Sequence, residues 1–155
     1  MALTLYSPFV ESVYGLFYRC RKKGDMNSGN KIKRLPDSEL EIMMILWGAD
    51  KPVTSAYVCE QLKDKRKWKV TSVLTFLARL AEKGFVSSTR QGKANIYMAV
   101  IGEQEYLESE GKSVLEKLYG NSLTALVSAL YKSNAINDDD LVELQQFIDK
   151  ATRGA

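Results

Sequence analysis

The sequence predicts a mainly α fold with one small β-hairpin, in two parts of opposite charge. Three observations carry this expectation. Residues 68–86, W-K-V-T-S-V-L-T-F-L-A-R-L-A-E-K-G-F-V, split into an apolar and a hydroxyl-bearing face when turned at about 100° per residue. At their end, two short runs that read as strands, Phe85–Thr89 and Asn95–Val100, flank Arg90-Gln91-Gly92-Lys93, which reads as a hairpin turn. Residues 26–101 carry 13 basic and 7 acidic side chains, whereas residues 102–155 carry 5 and 10. A basic first part facing nucleic acid, joined to an acidic helical part with another task, fits that division.

The helix within residues 68–86 organises the rest. Val70, Val73, Leu74, Phe76, Leu77, Leu80 and Ala81 are expected to form its buried arc. Thr71, Ser72, Thr75, Ala78, Arg79 and Glu82 are expected to face outward. Solvated helix faces are usually filled with Lys, Glu and Gln. Small hydroxyls followed by one Arg instead suit base edges and phosphates. A buried helix whose hydroxyls satisfy backbone groups is the competing reading. Gly84 stands where a left-handed C′ residue would end the helix.

Upstream, Pro36-Asp37-Ser38-Glu39 reads as a helix start with Asp37 as cap, and Gly48 as its end. Leu40, Met43, Met44, Ile45, Leu46 and Trp47 are the expected buried stripe. Pro52-Val53-Thr54 opens a second helix, with Thr54 as cap and Ala56, Val58, Cys59 and Leu62 inward. Residues 63–69, K-D-K-R-K-W-K, form a basic connection; Lys69 adjoins the organising helix, and Trp68 is read as a wedge between helices. Phe85–Thr89 and Asn95–Val100 then make the hairpin. Helix, helix, turn, helix and a hairpin with a basic tip describe a winged helix-turn-helix. Arg90 and Lys93 at that tip suit phosphates, which position a protein without reading sequence.

Glu103–Tyr119 reads as a helix with an acidic start, broken by Gly120-Asn121. Leu123, Leu126, Val127, Leu130 and Tyr131 form the stripe of the next, and Leu141, Leu144, Phe147 and Ile148 that of a last helix opened by Asp138–Asp140. Three such helices cannot close a core alone. Their stripes are expected either to meet a second copy, forming a two-fold dimer, or to pack back on the winged helix. The expected divisions are an extension over residues 1–30, a winged-helix domain over 31–101 and a helical dimerisation region over 102–155.

Residues 1–25 are apolar and aromatic, then basic, without a secretory cleavage pattern or a span of about 20 apolar residues. They read as an upstream start placed too early, with Met26 the alternative, or as a disordered tail; a docking helix or membrane contact is the other reading. Histidine is absent, and Cys20 and Cys59 form no CxxC. Zinc sites with histidine, catalytic histidines and a disulfide framework are thereby excluded. No GxGxxG, P-loop or HExxH occurs, so neither an enzyme nor a cofactor, metal or small-molecule ligand is expected.

The stretches D-S-E-L-E-I-M-M-I-L-W and W-K-V-T-S-V-L-T-F-L-A-R-L-A-E-K-G-F, with the wing ending I-Y-M-A, resemble the penicillinase-repressor family of bacterial winged-helix regulators. The resemblance runs from about Leu35 onward. It implies a cytoplasmic homodimer on an A·T-rich dyad in double-stranded DNA, blocking transcription of a resistance operon. Thr71, Ser72, Thr75 and Arg79 would then face the major groove, with Arg90 and Lys93 beside the backbone; Lys69 is a further expected DNA contact. It also implies a membrane sensor that triggers cleavage in the dimerisation region at an Asn-Phe bond. The aligned pair here is Ala129-Leu130, a departure that puts this control in doubt. The Cys-rich tail of the copper-responsive branch has no counterpart, so copper sensing is not expected. A winged helix serving as a protein-interaction scaffold is the alternative function.

Overall fold

The structure, a computed structural model, describes residues 32–154. The readings made for residues 1–25, including Cys20, lie outside them. Two compact units divide between Leu107 and Glu108. The first contains α1 (Asp37–Ala49), β1 (Val53–Thr54), α2 (Ser55–Leu62), α3 (Val70–Glu82), β2 (Val86–Gln91) and β3 (Ala94–Ala99). Helix α4 (Glu103–Tyr119) begins in it and continues into the second unit, which also holds α5 (Leu123–Lys132) and α6 (Asp138–Arg153).

The first unit has the winged helix-turn-helix arrangement. Its core joins Ile42, Met43 and Leu46 of α1, Val58 and Leu62 of α2, and Val73, Leu77 and Leu80 of α3. Phe85 and Val86 close it below the wing, together with Tyr97 of β3 and Tyr106 of α4. The sheet has the order β1-β3-β2 and is antiparallel throughout. Its first strand is an addition to the expected hairpin: Val53 and Thr54 pair with Tyr97 and Ile96. Two residues are too short to show an alternation, which is why the segment read as the mere opening of α2. Thr54 nevertheless caps α2 as expected, its hydroxyl oxygen accepting from the Tyr57 N–H.

Both ends of α1 differ from expectation. Pro36 occupies the N-cap position without a side-chain bond, and Asp37 is already helical, where its charge favours the dipole. Asp50, with φ 47°, takes the left-handed C-cap position rather than Gly48. The helix therefore runs one residue further. Met44, expected inside, is 59% exposed, and Glu39 is buried in the position the apolar pattern did not suggest. The Lys83 ammonium donates to the Glu39 carboxylate, so this buried charge is paired. That pair ties α1 to the end of α3.

Two long-range hydrogen bonds anchor the start of α4. The Leu35 N–H donates to the Tyr106 hydroxyl at 3.1 Å, and Trp47 Nε1 donates to the Ile101 carbonyl at 2.9 Å. The Tyr106 ring also packs against Trp47 and edge-on against Phe85.

In the second unit the helix ends between Tyr119 and Asp138 have local explanations. Gly120 and Asn121 both adopt positive φ after α4. Ser122 caps α5 by accepting from the Ala125 N–H. Asn134, φ 56°, ends it in a Schellman motif: Asn134 N–H bonds the Tyr131 carbonyl and Ala135 N–H the Leu130 carbonyl. Asn137 and Asp140 form a reciprocal capping box at α6. Tyr131 donates its phenol proton to Asp138 across the same loop at 2.7 Å, and that carboxylate raises the phenol's pKa.

Candidate nucleic-acid interface

Helix α3 is thirteen residues long and packs through a narrower face than its sequence suggested. Val73, Leu77 and Leu80 are fully buried, and Ser72, Phe76 and Ala81 border them half-buried. Val70 and Leu74 correct the expected apolar arc: they are 54% and 40% exposed. Spacing alone cannot show how wide a strip the neighbouring elements cover, and here it spans only the residues nearest Leu77. The outward face is thus Val70, Thr71, Leu74, Thr75, Ala78, Arg79 and Glu82. Ser72 stands at its margin rather than on it.

The ends of α3 aim this face. Lys69 is the N-cap and its side chain makes no capping bond; the Ser72 N–H bonds the Lys69 carbonyl at 2.9 Å instead. At the other end Gly84, φ 79°, is the C′ residue that the sequence suggested. Its N–H bonds the Ala81 carbonyl while the Phe85 N–H reaches the Leu80 carbonyl, a Schellman closure that turns the chain straight into β2.

A ladder of side chains runs behind the face. Glu41 on α1 holds Arg66 in a two-pronged pair, with Arg66 Nη2 at 2.7 Å and Nε at 3.2 Å. The Arg66 guanidinium lies 5.8 Å from the Trp68 ring centre, and Trp68 meets Phe76 at 5.1 Å. Arg79 lies 6.0 Å from the other end, over Phe76. Trp68, expected as a wedge between two helices, is half-buried between Arg66 of the connection and Phe76 of α3. Arg66, though part of the basic run, is paired with Glu41, and Lys63 lies 3.7 Å from Glu60, so Lys65, Lys67 and Lys69 are the exposed cations that remain in the run.

The Arg66 hydrogen bond holds the Glu41 carboxyl below its ordinary pKa, and Glu41 in turn raises that of Arg66. A depressed carboxylate contributes stability above its unfolded value of about 4.3 and loses it as pH falls through the folded one. Glu41→Gln is therefore expected to reduce the loss of thermal stability on acidification, by a small amount because both groups are solvated. Melting curves at stepped pH check this; an unchanged acid profile would contradict it.

The wing differs from expectation in one respect. Arg90 lies within β2, paired with Asn95, and the turn is only Gly92-Lys93. Gly92 has φ 61°, the positive value that a two-residue hairpin needs at its first central position. Arg90 reaches back to the Gly92 carbonyl at 3.4 Å, so its guanidinium and the exposed Lys93 share the tip. Cys59 is half-buried against the core, and burial raises its thiol pKa, consistent with a packing residue. Among the described residues there is no cluster of groups able to hold a metal. None of the described helices is long and apolar enough to cross a membrane.

In the second unit no side chain of residues 108–154 is buried. Leu126, Val127, Leu130, Leu141 and Leu144 are half-buried, while Leu123, Phe147 and Ile148 are exposed. Leu118 and Phe147 reach 72% and 67% exposure. Ala129 and Leu130 lie inside α5, with the Ala129 carbonyl accepting from Ser133 N–H and the Leu130 carbonyl from Ala135 N–H and the Ser133 hydroxyl. That bond is helical and fully hydrogen-bonded, so a protease would first have to unwind the end of α5.

Residues 35–150 match the family model described as penicillinase repressor. The chain belongs to the penicillinase-repressor family. The match within this family covers all elements from α1 to most of α6. A penicillinase repressor of Bacillus licheniformis is 26% identical over 77% of this chain and 93% of its own. The methicillin resistance regulatory protein MecI of Mammaliicoccus sciuri is 24% identical over 78% and 98%. An uncharacterised 16.5 kDa protein of Latilactobacillus sakei is 31% identical over 72% and 75%. Among solved structures, the Bacillus licheniformis BlaI monomeric form in complex with the blaP half-operator is 29% identical. It covers 49% of this chain and 92% of its own, with a TM-score of 0.42.

Proposed function

We propose that this member of the family is a cytoplasmic transcriptional repressor that binds double-stranded DNA as a homodimer on a dyad operator. The observation that carries the reading is the outward face of α3, bare of the Lys–Glu pairs of a solvated helix and bordered by cations. Lys69 and the uncapped first turn suit a phosphate, Thr71 and Arg79 suit base edges as donors and Thr75 as an acceptor, and Arg90 and Lys93 suit the backbone beside the wing. Ser72, at the margin, is left to a phosphate or to the helix itself. The similarity to a penicillinase repressor and to a methicillin resistance regulatory protein supports a resistance-type operon as target.

The second unit supplies the dimer in this proposal. Leu123, Leu126, Val127, Leu130, Leu141, Leu144, Phe147 and Ile148 would meet their copies across a two-fold axis, doubling the reading heads. Control by a membrane sensor-protease has no support from the Ala129-Leu130 bond, which is neither Asn-Phe nor exposed as an extended segment.

Anisotropy titrations with duplex from upstream of the protein's own gene, against random duplex, test the reading. Arg79→Ala is expected to cost about 1–3 kcal/mol on the preferred duplex and little on random DNA. Lys93→Ala is expected to weaken both alike and flatten the dependence of log K on log salt by about one. Equal losses of Arg79→Ala on both duplexes would remove its base-reading role. Salt-insensitive binding, or none, would favour the interaction scaffold instead.

A further inference from the structure

The exposed apolar residues of α3 are unexplained by hydrogen bonding to DNA. Val70, Leu74 and Ala78 follow one another at four-residue spacing and form a continuous edge of the outward face. Two of them are large, and both are left open to solvent where the core could have taken them. Thr75 extends the same character. Its hydroxyl donates to the Thr71 carbonyl at 2.9 Å, one turn back, so its proton is spent on the helix itself. The face therefore offers few donors: Thr71 near the start and Arg79 near the end, with aliphatic surface between.

In the major groove the one apolar group on any base is the thymine C5-methyl. The N-terminal half of a recognition helix is the part that meets base edges, and Val70 and Leu74 lie there. The cations near this face, Lys69 ahead of it and Arg79 at its opposite margin, favour a polyanion over an apolar protein partner. Resting on the reading of α3 as the DNA-binding helix, we infer that Val70 and Leu74 read thymine methyl groups. Sequence preference in this protein comes largely from methyl contacts, with Arg79 adding one polar contact.

Replacing thymine by uracil removes the methyl and leaves every hydrogen-bonding group in place, which isolates this contact. The probe is the duplex from upstream of the protein's own gene, prepared with thymidine or with deoxyuridine, and random duplex serves as reference. The wild-type protein is expected to bind the uracil duplex about tenfold or more weakly than the thymine duplex. Val70→Asn and Leu74→Asn are each expected to narrow that difference, and the double variant to bind the two duplexes almost equally. Both positions are exposed, and circular dichroism melts confirm that each variant is folded. If the wild-type protein prefers the upstream duplex to random DNA yet treats thymine and uracil alike, the methyl reading is overturned while the repressor reading stands. If it prefers neither duplex to random DNA, both fall.

Discussion

Lys83→Met is expected to destabilise the first unit by about 1–3 kcal/mol at neutral pH, the cost of leaving the buried Glu39 carboxylate without its donor. Glu39 is almost fully buried on α1, and the Lys83 ammonium is the partner that the structure gives its carboxylate. The methionine keeps the aliphatic stem of Lys83 and deletes the charge, so packing is nearly preserved. Adding Glu39→Leu to Lys83→Met is expected to recover most of the loss, because no charge then remains inside. Urea unfolding of the single and double variants measures this. Equal stability of Lys83→Met and the wild type would mean that the pair does not hold α1 to the end of α3. The consequence reaches the interface: this pair sits one residue from Gly84, where α3 hands the chain to the wing.

Phe147→Asp has the second large effect, and it falls on association. Burying a phenylalanine is worth about 1.5–3 kcal/mol. A two-fold interface contains the residue twice, so a loss of at least about 3 kcal/mol is expected, roughly a hundredfold or more in the dimer dissociation constant. Phe147 is exposed on α6 and the second unit buries no side chain. The substitution should therefore leave helix content unchanged. Sedimentation at graded concentration reads the result. A wild type that stays monomeric at high micromolar concentration would dispose of the dimer, and an unshifted constant would move the interface away from α6.

Much of this architecture was legible because its signals are long or chemically specific. The periodicity of α3, the boundaries of α4 and the break at Gly120-Asn121 follow from apolar spacing and from residues that tolerate positive φ. Gly84 was legible for the same reason: a glycine one position past an amphipathic helix has few other uses. Elsewhere several residues compete for one role and spacing cannot decide among them. Asp37 and Pro36 both suit the start of α1, and Gly48 and Asp50 both suit its end. Strand β1 was illegible because its pairing to Ile96 and Tyr97 lies more than forty residues away and involves two residues.

At the candidate interface, Thr71, Thr75 and Arg79 were found from their types, since hydroxyls and an arginine are unusual companions on a solvated helix. Val70 and Leu74 were placed inside for an equally sound reason, and only the width of the packed strip corrects them. The commitment of Arg66 to Glu41 was also invisible, because nothing in a basic run distinguishes a cation facing DNA from one held by a carboxylate on another helix. That distinction matters for function: it leaves Lys65, Lys67 and Lys69, not the whole run, as the cations available there.

The central claim is that two copies of this chain present two α3 helices to one dyad. Hydroxyl-radical footprinting of the DNA upstream of the protein's own gene tests it most directly. The expected result is a pair of protected patches on one face of the duplex. Their centres should lie one helical turn, about 10–10.5 base pairs, or a whole multiple apart, and protection should fade as salt rises. Protection no stronger than that of random DNA, or a single patch without a symmetric mate, would contradict it.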